Sequence, residues 1–227
     1  MKLAVFNGSP RGRGSNSRLL MDSFLAGYGR SGREEPEIFY LADSAVRETL
    51  GPGAFRNADT CVFIFPLYTD SVPGIVKEFL ERLSVTEPGE KKSLAWIVQS
   101  GFPESRQSRP VSRYLEKLTL RLGARHAGTV LRGGVEGIQI MPPWMTRTLY
   151  RRFESLGYAF GRTGSFPEPL VRRLAGKGRL SPLQRLLVRI QARLGMADFY
   201  WDQALKKNGA FGERFAAPYG EPFREEL

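Results

Sequence analysis

Between Asn7 and Ser17 the chain sets three serines, two arginines and three glycines within eleven residues, Asn7-Gly8-Ser9-Pro10-Arg11-Gly12-Arg13-Gly14-Ser15-Asn16-Ser17. Hydroxyls, guanidinium groups and unhindered backbone amides are the groups that hold a phosphate. The stretch follows the apolar run Leu3-Ala4-Val5-Phe6 and precedes an amphipathic segment, Arg18 to Tyr28. A strand, a polar turn and a helix, in that order, bring unpaired helix N-terminal amides to the turn. The helix dipole favours negative charge there. The chemistry on offer is anion binding. Ser9, Arg11, Ser15, Asn16 and Ser17 are the expected contacts, with Arg13 an auxiliary charge at the rim.

Two well-known phosphate loops do not match. A Walker loop closes on Gly-Lys-Ser/Thr, and this stretch contains no lysine. The dinucleotide fingerprint G-x-G-x-x-G needs a glycine where Ser17 stands, and Gly8, Gly12 and Gly14 are out of register for that turn. What remains is a mononucleotide held by hydroxyls and backbone amides. Flavin mononucleotide (FMN) in a doubly wound sheet is the leading example.

The elements that must position such a loop follow from periodicity. Apolar, β-rich runs at Lys2–Phe6, Glu37–Leu41, Cys61–Phe65, Ser93–Val98 and Ala127–Leu131 read as strands. Helical spacing of apolar residues marks Ser17–Gly27, a short Ser44–Leu50, Val72–Leu83, Val111–Leu122 and Met145–Gly161. Tyr114, Leu115, Leu118 and Leu122 are expected to face inward on the fourth of these. Parallel strands need long crossovers, so this alternation predicts an α/β fold. The expectation is a doubly wound, five-stranded parallel sheet of order 2-1-3-4-5 over residues 1–164. From Ser165 the alternation stops. Residues 165–227 read as a basic helical extension that packs on the domain or on a dimer mate. Its helix, Pro182–Leu194, carries Leu183, Leu186, Leu187, Ile190 and Leu194 on one face. Arg185, Arg189 and Arg193 recur every four residues away from it.

Ligands in open parallel sheets bind beyond the C-terminal strand ends, at the switch in strand order. The residues there are polar, glycine-rich and aromatic. After the third strand comes Pro66-Leu67-Tyr68-Thr69-Asp70-Ser71-Val72-Pro73, after the fourth Gln99-Ser100-Gly101-Phe102-Pro103-Glu104, and after the fifth Gly133-Gly134-Val135-Glu136-Gly137. A flat heteroaromatic ring needs an apolar wall, which Leu67, Tyr68 and Phe102 supply. It also needs backbone hydrogen bonds, which Tyr68–Ser71 and Ser100–Phe102 supply.

Composition narrows the class. The chain has 227 residues, 41% hydrophobic, and a formal charge of +11. No apolar run approaches the ~20 residues of a bilayer span. No signal peptide is visible, and a cytoplasmic location is expected. The single cysteine, Cys61, excludes an intramolecular disulfide and any cysteine-rich metal centre, and its setting in a strand reads as a buried thiol. The lone histidine, His126, reads as a solvated or edge residue. Positive charge concentrates between Met145 and Leu194, whereas Glu221–Leu227 turns acidic.

In Gly8-Ser9-Pro10-Arg11 with Ser15-Asn16-Ser17, in Phe65–Pro73 and in Ser100-Gly101-Phe102, the chain resembles the flavodoxin-like NAD(P)H-dependent FMN reductase and quinone reductase superfamily. The resemblance implies FMN with its phosphate on the first loop. It implies a flavin ring against Pro66, Leu67, Tyr68, Thr69, Asp70 and Ser71 and against Ser100, Gly101 and Phe102. It further implies hydride transfer from NAD(P)H and two-electron delivery to a quinone, flavin or similar small acceptor, in a homodimer or higher homo-oligomer. The cofactor carries such chemistry, so no side chain is expected as acid or base. Surplus arginine favours NADPH. An FMN-binding electron carrier without nicotinamide turnover is the alternative, disfavoured by the basic charge. A binding protein acting through its basic helix is another. In that case residues 181–195 would make a peripheral membrane contact, with nucleic acid the less favoured partner.

Overall fold

The structure, a computed structural model, describes residues 1–83, 92–102, 104–176, 178–193 and 199–217. Five strands form one parallel sheet: β1 (Leu3–Asn7), β2 (Glu37–Tyr40), β3 (Thr60–Pro66), β4 (Ser93–Gln99) and β5 (Arg125–Arg132). Their order is β2-β1-β3-β4-β5, the order expected of a flavodoxin-like sheet, and every pairing is parallel. All residues of β1, β3 and β4 are buried, whereas the edge strand β2 is exposed or half-buried. Strands covered on both faces must be apolar throughout, which is why the three central runs lack alternation.

Side chains still alternate between two cores. Phe6, Phe63, Phe65 and Trp96 point to one face, where α2 (Gly51–Asn57), α3 (Gly74–Glu81) and α4 (Arg109–Arg121) lie. Phe6 stacks on Phe63 at 4.8 Å and Phe63 on Trp96 at 4.7 Å, an aromatic column across three strands. The Trp96 indole donates to Thr119 Oγ1 at 2.9 Å, so its polar edge is satisfied in the core. Val5, Val62, Ile64 and Ile97 point to the other face, under α1 (Asn16–Gly29), α5 (Pro143–Thr163) and α6 (Glu168–Ala175).

Helices α1 and α5 meet backbone to backbone. A Cβ placed on Gly27 would lie 1.8 Å from the Glu154 carbonyl oxygen, and one on Gly157 would lie 1.8 Å from that of Phe24. Two glycines therefore set the distance between these helices, and with it where α1 begins.

Several expectations shift in detail. The expected Ser44–Leu50 helix is present, but it is a π helix at Val46–Leu50 and runs straight into α2. Tyr114 does not face inward but is 47% exposed, because Val111, Leu115 and Thr119 form the buried side of α4. The chain divides into two compact units, Met1–Arg179 and Leu180–Leu227. The first runs past the break at Ser165, because α6 packs on β5 and α5, and Phe166 and Leu174 enter the second core. The second unit holds α7 (Pro182–Arg193) and α8 (Phe199–Lys207). Leu194 and the acidic Glu221–Leu227 segment lie outside the described residues. Among the described residues no helix is long and apolar enough to cross a membrane.

Candidate flavin-phosphate cleft

The loop after β1 is held by its own side chains. The Ser9 amide donates to Asn7 Oδ1 at 3.0 Å, and the Arg11 amide reaches Ser9 Oγ at 3.4 Å. These Asx- and Ser-turn bonds fold the chain back before the helix. Gly12 sits at φ +52°, the left-handed conformation that favours glycine, and opens a single 3-10 turn to Gly14. Gly8 is required for a different reason: its Cβ would lie 2.3 Å from Val76 Cγ2. The loop thus rests directly on α3.

Ser15 caps α1. Its Oγ accepts from the Arg18 amide at 3.1 Å and donates to the Gly12 carbonyl at 2.7 Å. This is the N-cap arrangement of a helix start, and it leaves the amides of the first turn as anion donors. Asn16 Nδ2 donates to the Val135 carbonyl at 3.0 Å, tying α1 to the loop after β5. Gln99 Nε2 contacts Ser17 Oγ at 3.4 Å, and Gln139 Nε2 donates to the Gly14 carbonyl at 2.8 Å. Ser15 therefore serves the loop's internal bonding, and Ser17 ties the start of α1 to the end of β4. Arg13 lies with its guanidinium 4.5 Å from the Tyr40 ring centre, at the rim.

The other strand ends converge on the same place. Leu67 donates to the Gln99 carbonyl at 2.7 Å, and Ser100 to the Arg132 carbonyl at 2.9 Å. Val135 donates to the Ser100 carbonyl at 3.0 Å and Gly134 to that of Phe102 at 2.8 Å. Beyond Tyr68 the backbone turns through Thr69 (φ +50°) and Asp70 (φ +62°), and Ser71 closes the turn on the Tyr68 carbonyl at 3.1 Å. Two consecutive non-glycine residues at positive φ, one of them β-branched, are a strained arrangement.

A cleft opens where these ends meet. It is lined by Ser9, Arg11, Asn16, Pro66, Leu67, Tyr68, Gln99, Ser100, Gly101 and Glu136. It lies at the switch in strand order, between β1 and β3, the position general to open α/β sheets. Eight of these ten residues are among those the sequence singles out. Thr69, Asp70 and Ser71 lie outside the lining and are exposed, as is Phe102 at 49%.

Gln99 and Glu136 stand in the strand-end loops that the sequence points to but are not among the expected contacts. Gln99 follows the apolar run Leu94–Val98 yet is buried. That mismatch of residue type and setting is the signal that marks it. Glu136 is marked by its position in the loop after β5, where a solvated carboxylate is the ordinary reading. A Cβ on Gly101 would lie 3.3 Å from Glu136 Cβ, so the two face each other across the cleft wall.

Three buried polar atoms here have no hydrogen-bond partner: Asn16 Oδ1, Ser100 Oγ and Asn7 Nδ2. Orphaned buried groups of this kind cost ~1–3 kcal/mol each, and two of them belong to cleft residues. A ligand carrying hydroxyls and a phosphate suits this set. The hydroxyls can donate to Asn16 Oδ1 and exchange hydrogen bonds with Ser100, while Arg11 and the α1 N-terminus offer charge and amides. FMN, with its polyhydroxylated chain and terminal phosphate, fits these donors and acceptors.

The other candidate chemistry is quiet. Cys61 is fully buried, and burial pushes its thiol up to about 12. His126 is half-buried on β5 with a ring nitrogen 2.9 Å from Thr129 Oγ1, away from the cleft.

Comparison with known proteins agrees with the fold. A family model described as a flavodoxin-like fold matches residues 1–140. A search of the curated proteins finds no match. Among solved structures, an NAD(P)H:quinone oxidoreductase from Methanothermobacter marburgensis superposes with a TM-score of 0.56 at 15% identity, covering 70% of this chain and 96% of the other. An FMN-dependent NADH-azoreductase from Bacillus anthracis in complex with FMN gives 0.51 at 18% identity, with 70% and 99% covered. The Trp repressor binding protein from Bacillus subtilis gives 0.51 at 21% identity, with 67% and 97% covered. At these identities the superpositions speak for the fold. With the family model spanning more than half of the chain and the 2-1-3-4-5 sheet in place, this protein belongs to the flavodoxin-like fold family.

Proposed function

We propose that the protein is an FMN-dependent oxidoreductase that takes hydride from NAD(P)H and passes two electrons to a small acceptor such as a quinone. The observation that carries the reading is the cleft at the strand-order switch. There the phosphate-type residues Ser9, Arg11 and Asn16 stand together with Leu67, Tyr68, Ser100 and Gly101. Similarity in fold to a quinone oxidoreductase and an FMN-dependent azoreductase supports it.

When bound, FMN supplies the hydride-accepting ring, and the protein's part is to hold and orient it. Arg11 and the first-turn amides of α1 neutralise a phosphate. Asn16, anchored through Val135, fixes the polar chain. Leu67 is buried and Tyr68 is 47% exposed, so together they offer an apolar wall that is still open to a second ring. Gly101 brings bare backbone to the cleft, because it has no side chain to obstruct a flat ligand. The net positive charge draws in the phosphates of NAD(P)H. The reading carries with it a homodimer and a cytoplasmic location, which light scattering and cell fractionation test.

The test is anaerobic. The FMN-reconstituted protein is mixed with NADPH and, separately, NADH, and the flavin absorbance is followed. A panel of quinones, azo dyes and free flavins is then added. Rapid bleaching by one nucleotide, and reoxidation by at least one acceptor, is the expected result. Flavin that bleaches only with a partner protein would make the chain an electron carrier instead.

A further inference from the structure

Helix α7 carries a surface that the cleft does not explain. Its start is encoded locally. The Ser181 amide donates to Gln184 Oε1 at 3.0 Å, the Gln184 amide donates to Ser181 Oγ at 3.2 Å, and Pro182 occupies the first helical position. This is a complete capping box with the proline where it helps most. Within the helix, Leu183, Leu186, Leu187 and Ile190 form one stripe, and each is between 44% and 65% exposed. Arg185, Arg189 and Arg193 step at four-residue intervals from the opposite side of the helix toward the edge of that stripe, and no acidic residue lies between Pro182 and Arg193.

We infer that α7 lies in the surface of an anionic membrane, with its leucine stripe among the lipid chains and its arginines on the headgroups. An apolar stripe flanked by long cationic side chains is the composition of an interfacial helix, since arginine can bury its stem and keep its charge at the headgroup level. Charge decides among the occupants. A second copy of α7 would cover the leucines and leave the arginines without a counter-charge, since neither helix carries a carboxylate. A nucleic acid would engage the arginines and leave the leucines in water. An anionic lipid surface answers both faces at once.

The experiment is cosedimentation of the full-length protein with vesicles. One set is pure phosphatidylcholine and the other contains about a third phosphatidylglycerol, near the range in which basic segments bind. The expected result is pelleting with the anionic vesicles at low salt, release at high salt, and none with the neutral ones. The double variant Leu187→Glu/Ile190→Glu abolishes pelleting. The triple variant Arg185→Gln/Arg189→Gln/Arg193→Gln weakens it on the order of a hundredfold, at about fivefold per arginine. The substituted side chains are exposed, and an unchanged melting temperature shows that each variant is folded. Wild-type protein that stays in solution with anionic vesicles overturns the inference, as do variants that pellet like the wild type. So does a Leu187→Glu/Ile190→Glu variant that turns an oligomer into a monomer by light scattering, which names a second copy as the occupant. Retention on duplex DNA without vesicle binding overturns it in favour of nucleic acid. None of these outcomes depends on the flavin.

Discussion

At the scale of single residues, the polar loop after β1 separates into groups that face the cleft and groups that hold the loop. Ser9, Arg11 and Asn16 line the cleft, whereas Ser15 is the cap of α1. Substitutions distinguish the two roles. Arg11→Ala should weaken FMN binding by about three- to tenfold, the discounted worth of one exposed charge-assisted contact, and leave the melting temperature unchanged. Ser15→Ala should cost ~1 kcal/mol of stability from the lost cap, read by urea denaturation, with any loss of affinity following from it. The types and order of these residues were legible in the sequence because phosphate binding demands hydroxyls, amides and positive charge after a strand. Which hydroxyls turn inward was not legible, because that depends on bonds to residues far along the chain. The Gln99 contact with Ser17 and the Asn16 bond to Val135 are of this kind. Glu136 stands in the loop after β5, and its place beside Gly101 depends on the backbone bonds of Gly134 and Val135 to Phe102 and Ser100.

At the scale of elements, the three central strands were legible because burial on both faces forces continuous apolar runs, and all five expected runs fall where β1 to β5 stand. The crossing of α1 and α5 was not, since Gly27 and Gly157 look like any helical glycines until both helices are placed. Gly157→Ala should force the helices apart against the Phe24 carbonyl. The expected cost is ~1–3 kcal/mol, the range for overpacking, measured as a lowered urea midpoint. It should also weaken FMN binding, because α1 carries the cap and Asn16. The edge strand β5 makes a separate prediction. Burial lowers the His126 pKa below its ordinary 6.5, and nearby Glu116 only partly opposes this. The folded state therefore binds this proton less readily than the unfolded chain does. The associated stability is fully present above pH 6.5 and is lost as pH falls below it. The urea midpoint should drop on acidification through that range, and His126→Gln should flatten the drop.

At the scale of the whole molecule, both core clusters and every cleft residue lie within Met1–Arg179. A chain ending at Arg179 should fold cooperatively and bind FMN with the affinity of the full protein. An insoluble product would contradict this. The basic extension was visible in composition, but composition assigns no occupant to an amphipathic face. Its exposed leucine stripe becomes apparent only once the sheet has taken the other apolar residues into its two cores. The proposed function depends on the loop after β1 being a phosphate cradle within a flavin cleft. The most direct test is an equilibrium titration of the purified protein with FMN and with riboflavin, which differs only in lacking the phosphate, followed by quenching of flavin fluorescence. One FMN per chain, bound at least tenfold more tightly than riboflavin, with that preference reduced by Arg11→Ala, is the predicted result. Equal affinity for the two flavins, or no quenching by either, would contradict it.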